Sequence, residues 1–363
     1  MSPDEFEEVL GYDGEILQES FVGWPLAGRR LPAASFIECD FTGVDFTGTR
    51  LDGTTFLKCR LDGARFAEAI LDSAKFVESS LAGASFAGAR LNQCHFLKST
   101  FEGARFDGAS LSEVTFVTGS VEGVAFANAT LYRVAIMEAG FGRCDLTGAR
   151  LERVMVTAAD LRECALDGMS ADTVMMMEAR MDGLDLSGRT LARCNFMKSS
   201  MAGIDLSGCD LTQTLFQDCN LQQARMSGAR AATGLFLNAN LAGAAMDGMD
   251  LTYAILDGAI LDGATLDGSR MELAQLKSTS ARGTRFRNVD FENADASYAD
   301  WTGADLSGAN MYRLNLHGTT FQPVATGSRL STTLGTDEDR RISELYDPIA
   351  VEQHLRQRSK GGR

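Results

Sequence analysis

Apolar side chains recur along this chain at every fifth residue. The series runs Phe21, Leu26, Leu31, Phe36, Phe41, Phe46, Leu51, Phe56, Leu61 and Phe66, and keeps its phase to Leu306, Met311, Leu316 and Phe321 without an insertion or deletion. Departures stay apolar, as at Val121, Ile136, Val156 and several Met, or become small, as at Ala171, Ala231, Ala281 and Ala296. Two residues before each member the side chain is usually small: Ala64, Ala69, Ala74, Ser79, Ala84, Ala89, Cys94. A period of five fits neither a 3.6-residue helix nor an alternating strand. Sustained over most of a chain, it is the pattern of a solenoid.

A second period, of 20, lies over the first. Phe36, Phe56, Phe76, Phe96 and Phe116 form one column, Phe46, Phe66, Phe86, Phe106 and Phe126 another, and Leu51, Leu71, Leu91, Leu111, Leu131 and Leu151 a third. Four pentads per coil would stack like on like. The count predicts about 15 coils and, at about 4.8 Å between strands, a rod of roughly 70 Å. The pattern resembles the unit of the pentapeptide-repeat family, and the resemblance implies that the central apolar residue and the small one two before it point inward while the other three positions face solvent. Each buried Leu or Phe contributes about 1.5–3 kcal/mol, and each coil depends on its neighbours.

The ends need covers, because open coils expose unpaired strand edges. Residues 1–20 are read as an acidic capping segment: Ser2-Pro3-Asp4-Glu5 has the form of a capping box, opening a short helix to about Leu10 that stops at Gly11. Residues 21–321 are the solenoid. In 322–363 the register lapses; 322–338 are polar and expected to be irregular, and Asp347-Pro348 opens an amphipathic helix to about Arg358.

Composition narrows the functional classes. The formal charge is −15, and residues 1–20 hold acids but no base, the reverse of a secretory signal. No apolar run approaches membrane-spanning length, so a soluble cytoplasmic protein without membrane or direct nucleic-acid partners is expected. The eight cysteines (39, 59, 94, 144, 164, 194, 209, 219) all occupy the small inward slot, which selects volume rather than sulfur chemistry. Cys39/Cys59 and Cys144/Cys164 fall one coil apart, so disulfides are geometrically conceivable, but reduced thiols are expected. His95 and His317 fall at outward positions in different coils, and His354 in the tail, so no catalytic triad or metal set assembles by spacing. Glycines mark repeat corners and none precedes Lys-Ser/Thr as in a phosphate loop. No catalytic, cofactor or metal site is expected.

The exterior carries one unusual feature. On the side of the Phe36–Phe116 column the residue after the central one is apolar: Ile37, Leu57, Val77, Leu97, Val117, Met137, Met177, Met197, Leu237. Further along, the preceding outward position is apolar too, at Ala135, Met155, Met175, Leu215, Leu235 and Ile255. Val117, Met137, Met155, Met175, Met177, Met197, Leu215, Leu235 and Leu237 are therefore the candidate partner-binding residues, as a methionine-rich apolar ridge suits an adaptable interface. The adjoining column alternates sign through Glu38, Lys58, Glu78 and Lys98, which suits a solvated ladder. Near the middle, Met169 fills a small slot where Ala171 has lost the large residue, and Arg189 falls in the same inward column. A local distortion of the coil is expected there.

Copies such as Ala304-Asp305-Leu306-Ser307-Gly308 and Cys209-Asp210-Leu211-Thr212-Gln213 resemble the unit of the pentapeptide-repeat family. The resemblance covers about residues 21–321 and implies an all-β solenoid, a right-handed quadrilateral β-helix. The leader Ser2-Pro3-Asp4-Glu5-Phe6, Gly14-Glu15 and Leu26-Ala27-Gly28-Arg29 resembles that of type VI secretion accessory proteins, which implies a non-enzymatic scaffold or adaptor contacting an effector or spike protein. The gyrase-protecting members of the family imply an alternative, a DNA mimic that binds a type II topoisomerase and dimerises through its C-terminal end. The Arg residues interspersed among the acids make the chain a poor copy of duplex DNA, which carries one charge per about 1.7 Å.

Overall fold

The computed structural model describes residues 14–338 apart from 32, 321, 323, 325–326 and 329–331. The expected helices at 2–10 and 347–358 lie outside the described residues. Every secondary-structure element among the described residues is a strand, and the chain is an all-β solenoid. It comprises two compact units, Met1–Ile204 and Asp205–Arg363.

In the first unit two parallel sheets rise side by side. One has nine strands: Glu15–Leu17, Ser35–Ile37, Thr55–Leu57, Lys75–Val77, His95–Leu97, Thr115–Ser120, Ala135–Gly140, Met155–Thr157 and Met175–Met177. The other has five: Arg90–Asn92, Ser110–Ser112, Thr130–Tyr132, Arg150–Glu152 and Ser170–Asp172. Register is fixed at 20 residues, as in Phe36↔Phe56, Phe76↔Phe96 and Leu111↔Leu131. The ladder starts one pentad before Phe21: Ile16 is buried and pairs with Phe36.

The regular ladder makes about eight turns rather than the fifteen the pentad count suggests. In the second unit the 20-residue offset persists as single bridges, from Asp205↔Arg225 to Asp300↔Thr320. After Asp300 the offset shortens to 19, in Asp305↔Val324 and Asn315↔Leu334, so part of 322–338 is paired to the preceding coil.

Both inward columns are closed to solvent. Phe36, Phe56, Phe76, Phe96 and Phe116 stack with centroids 4.8–5.4 Å apart. Phe46, Phe66, Phe86, Phe106 and Phe126 do so at 4.6–5.3 Å. The two columns meet edge to face, the favourable geometry for facing rings. In the second unit the centre is mostly Leu, Met and Ala, with Trp301 packed against Phe286 and Phe291.

Candidate functional site

The small inward column does more than save volume. Where its residue carries a donor, that donor usually reaches the carbonyl of the central residue one coil earlier; Thr279 instead bonds Leu276 in its own coil, Cys164 reaches Asp160, and the buried Thr54 hydroxyl has no partner among the described residues. Ser79 donates to Phe56, Ser99 to Phe76 and Ser199 to Met176, each at 3.1 Å. Cys59 and Cys144 donate to Phe36 and Val121 at 3.2 Å, and Thr284 to Leu261 at 2.7 Å. A hydroxyl or thiol that finds this acceptor is buried without being left unsatisfied. Size alone therefore under-described this slot; its recurrent Ser, Thr and Cys were the signal. All eight cysteines are free. Burial pushes the Cys94 and Cys194 thiols up to about 12, far from the reactive thiolate. Among the described residues no group of His, Cys, Asp and Glu could hold a metal ion.

Around Met169 the packing is imperfect. Ala171 is too small for a central position, and Met169, turned inward, fills only part of the space. An apolar cavity of about 10 Å³ remains, lined by Met169, Ala171, Met176, Leu186, Leu191 and Phe196. It is dry by character, with no polar group to hold a water. Arg189 is half-buried, and its Nη1 donates to the Leu166 and Met169 carbonyls, the latter at 3.2 Å. The guanidinium ties the distorted coil to the one before it.

The corners explain the glycines and much of the charge. The residue two after the central one is left-handed, whether glycine, as at Gly43 (φ 68°), or not, as at Glu38 (φ 56°) and Lys58 (φ 53°). Such a φ costs a non-glycine residue about 1–2 kcal/mol. At Gly83 a Cβ would meet nothing within 4 Å, so backbone preference alone selects glycine there. The Asp or Asn before the central residue accepts the N–H two residues later, as Asp40 does from Thr42 at 2.9 Å, Asp205 from Ser207 at 2.9 Å and Asp305 from Ser307 at 3.0 Å. Arginines one coil away take the second oxygen: Arg65–Asp45 at 2.8 Å, Arg225–Asp205 at 2.9 Å and Arg287–Asp305 at 2.6 Å. Hydrogen bonds from Thr42 hold Asp40 below the usual carboxylate range. Asp160 is held at about 2 by Arg162, and Asp305 at about 2 by Ser307 and Arg287. These acids are structural groups with partners.

The candidate residues fall in register with one another. In the first unit Ile37, Leu57, Val77, Leu97 and Val117 follow one another on the outside of the nine-stranded sheet, and Met137 pairs with Val117. Met155 pairs with Ala135 and Met175, while Thr157, a polar break in the row, pairs with Met177. The Glu178 N–H bonds the Met197 carbonyl at 3.0 Å, which sets Met197 on the next coil. Most of these side chains are half-buried, because neighbours one coil away cover their flanks; Met175, at 40%, and Leu97, at 36%, are the most open. In the second unit Leu215 bridges Leu235, Leu235 bridges Ile255, and Leu237 is half-buried beside them.

His317 departs from its expected outward place. It is only 3% exposed, with Nε2 2.9 Å from the Tyr298 hydroxyl and Nδ1 accepting the Asp337 N–H at 3.2 Å. The cause is the paired segment up to Asp337, which covers that corner and which the polarity of 322–338 concealed. His95 is half-buried and bonds Thr115 at 2.7 Å. No helix among the described residues is long and apolar enough to cross a membrane.

A family model for a pentapeptide repeat region matches residues 29–106. A second, for pentapeptide repeats in eight copies, matches 176–213, 194–230, 236–272, 261–293, 269–300 and 284–322. Together they span more than half of the chain. Among solved structures, the pentapeptide repeat protein HetL, involved in heterocyst differentiation regulation in the cyanobacterium Nostoc sp. strain PCC 7120, is 29% identical over 58% of this chain and 88% of its own, with a TM-score of 0.22. Full-length QnrB1, a plasmid-mediated fluoroquinolone resistance protein, is 15% identical over 83% of this chain and 93% of its own, with a TM-score of 0.19. A pentapeptide repeat protein of the Arabidopsis thaliana thylakoid lumen is 21% identical over 39% of this chain and 68% of its own, with a TM-score of 0.12. No curated protein matches the sequence.

Proposed function

The chain belongs to the pentapeptide-repeat family, and from that premise we propose that it is a non-enzymatic scaffold that binds a protein partner through the methionine face of its first unit. The observation that carries this reading is a pair of in-register outward columns flanking the central one, Val117, Met137, Met177 and Met197 with Thr157 between them on one side and Met155 and Met175 on the other. Covering side chains that are already half-buried contributes on the order of 1 kcal/mol each. Several together outweigh part of the association cost, and flexible Met adapts to its counterpart. Leu215, Leu235 and Leu237 extend the proposal to the second unit as a separate patch.

The finer reading is an accessory of bacterial type VI secretion acting in the cytoplasm on an effector or spike protein; it rests on the leader residues Ser2–Phe6, Gly14-Glu15 and Leu26–Arg29. The DNA-mimic alternative is less favoured, since carboxylates such as Asp45, Asp205 and Asp305 are engaged by arginines rather than offered to a DNA-binding enzyme. The test is quantitative affinity capture of the tagged protein from its host, followed by mass spectrometry. Secretion spike, sheath or toxin subunits are the expected result. Gyrase or topoisomerase IV subunits would overturn the assignment in favour of mimicry, and recovery of this chain alone would replace it with self-association.

A further inference from the structure

The corner of the second unit that passes through Tyr253 and Leu273 breaks the rule the other corners follow. Both residues sit at left-handed φ, 59° and 60°, where glycine or a polar side chain is usual. Among the described non-glycine corners, the other apolar or aromatic residues are Ala158 and Tyr298. Tyr298 is explained within the fold, because its ring packs edge-on against His317 and its hydroxyl bonds the imidazole. Tyr253 and Leu273 are instead turned to solvent, 56% and 42% exposed. They carry an unfavourable backbone conformation and an apolar surface without an internal gain, the combination that points outward to a function.

Their neighbours extend the strip. The Tyr253 N–H bonds the Glu272 carbonyl at 3.0 Å, the Leu273 N–H bonds Glu292 at 2.9 Å, and the Asn293 N–H bonds Tyr312 at 2.9 Å. Tyr312, 50% exposed, is thus carried on the same edge two coils beyond Leu273. Acidic groups flank the line. Glu272 and Asp250 share Arg270, at 3.3 and 3.7 Å. Asp290 and Glu292 make no ion pair among the described residues; Asp290 accepts the Asn310 side chain at 2.8 Å, and Glu292 the Asn293 side chain at 3.4 Å. Arg313 stands at the far end, so four carboxylates face two guanidinium groups.

We propose that Tyr253, Leu273 and Tyr312 form a second docking surface, for a basic segment of a partner protein that lays apolar side chains on Tyr253 and Leu273 and sets Lys or Arg against Asp290 and Glu292. Large aromatic anchors beside unpaired charge are the usual makings of a binding hot spot. The surface does not depend on the methionine face.

The experiment uses the full chain and an array of short peptides that share Leu and Tyr anchors but are basic, neutral or acidic. Binding of basic peptides at least about tenfold tighter than acidic ones is expected, weakening as salt rises. Tyr253→Gly with Leu273→Gly, which suits the corner φ, is expected to lose at least about tenfold in affinity while the Tm stays level or rises. Asp290→Asn with Glu292→Gln is expected to abolish the preference for basic peptides, since Asn keeps the turn that Asp290 makes. Met177→Glu with Met197→Glu is expected to change none of this, which separates failure here from failure of the methionine face. Equal binding of basic and acidic peptides, or undiminished binding by the double-glycine variant, would overturn the proposal. A fall in Tm of that variant would show the strip to be structural. Self-association of the wild type that the same variant abolishes would assign the strip to a second copy instead.

Discussion

Phe86 sits at the middle of an aromatic column, fully buried, with its ring stacked 4.6 Å from both Phe66 and Phe106 and edge-on to Phe76 and Phe96 at 6.2 Å. Phe86→Ala removes the ring from a site whose walls are two rigid rings and two sheets, so little collapse is available. The expected cost is at the upper part of the usual range, about 3–5 kcal/mol. Phe86→Leu keeps most of the volume and loses the two stacked pairs, each about 0.5–1.5 kcal/mol, so about 1–3 kcal/mol is expected. Urea titration monitored by circular dichroism gives both values from the shift in midpoint and the slope. Hydrogen exchange adds a spatial test, because a solenoid coil touches only its neighbours: protection should fall in the coils of Phe66, Phe86 and Phe106 and persist elsewhere in the unit. A cost for Phe86→Ala below about 2 kcal/mol, or equal costs for Ala and Leu, would refute the reasoning that the stacked rings supply the stability.

Further predictions follow from the corners and the inward slots. Gly83→Ala is expected to destabilise by about 1 kcal/mol and Ala158→Gly (φ 54°) to stabilise by a similar amount, opposite signs that thermal melts of both variants would read directly. Ser99→Ala, which removes the one hydroxyl donor shared between the Phe76 and Leu97 carbonyls and an acceptor for the Ser79 N–H, is expected to cost about 1 kcal/mol, whereas Ser99→Cys retains the pattern seen at Cys59 and costs less. The depressed carboxylates set the acid response. Asp40, Asp160 and Asp305 titrate in the folded chain below their ordinary value of 3.8, so their stabilisation is complete above that pH and is lost as pH falls below it, for Asp160 and Asp305 through about 2. Acid titration should therefore show the Tm falling between about pH 4 and pH 2, and Asp305→Asn, which keeps the turn, should flatten the fall.

The period of five and the overlying period of 20 made the inward columns legible, since Phe, Leu and Ala repeat where volume alone decides. Other features were hidden by the same tolerance that lets the fold vary. A left-handed corner accepts Glu38, Lys58 or Arg133 as well as Gly43, because a long polar side chain leaves freely into solvent, so the corner rule surfaces only in the φ values. Cys59, Ser79 and Thr284 read as small residues, and their shared hydrogen bond to the preceding coil is a matter of geometry. Polar composition disguised the pairing of Val324 and Leu334, and with it the burial of His317, because the step there shortens by one residue. On the candidate face, the sequence located the apolar row, but only the parallel register shows that coil neighbours leave it half-buried.

Partner binding is proposed to reside on the methionine face. Titration calorimetry of the captured partner against the wild type and against Met177→Glu with Met197→Glu tests it most directly, with circular dichroism confirming that both are folded. Two carboxylates placed where apolar surface is to be covered should weaken binding by about 100-fold or more. A folded double variant that binds that partner as tightly as the wild type would contradict the account.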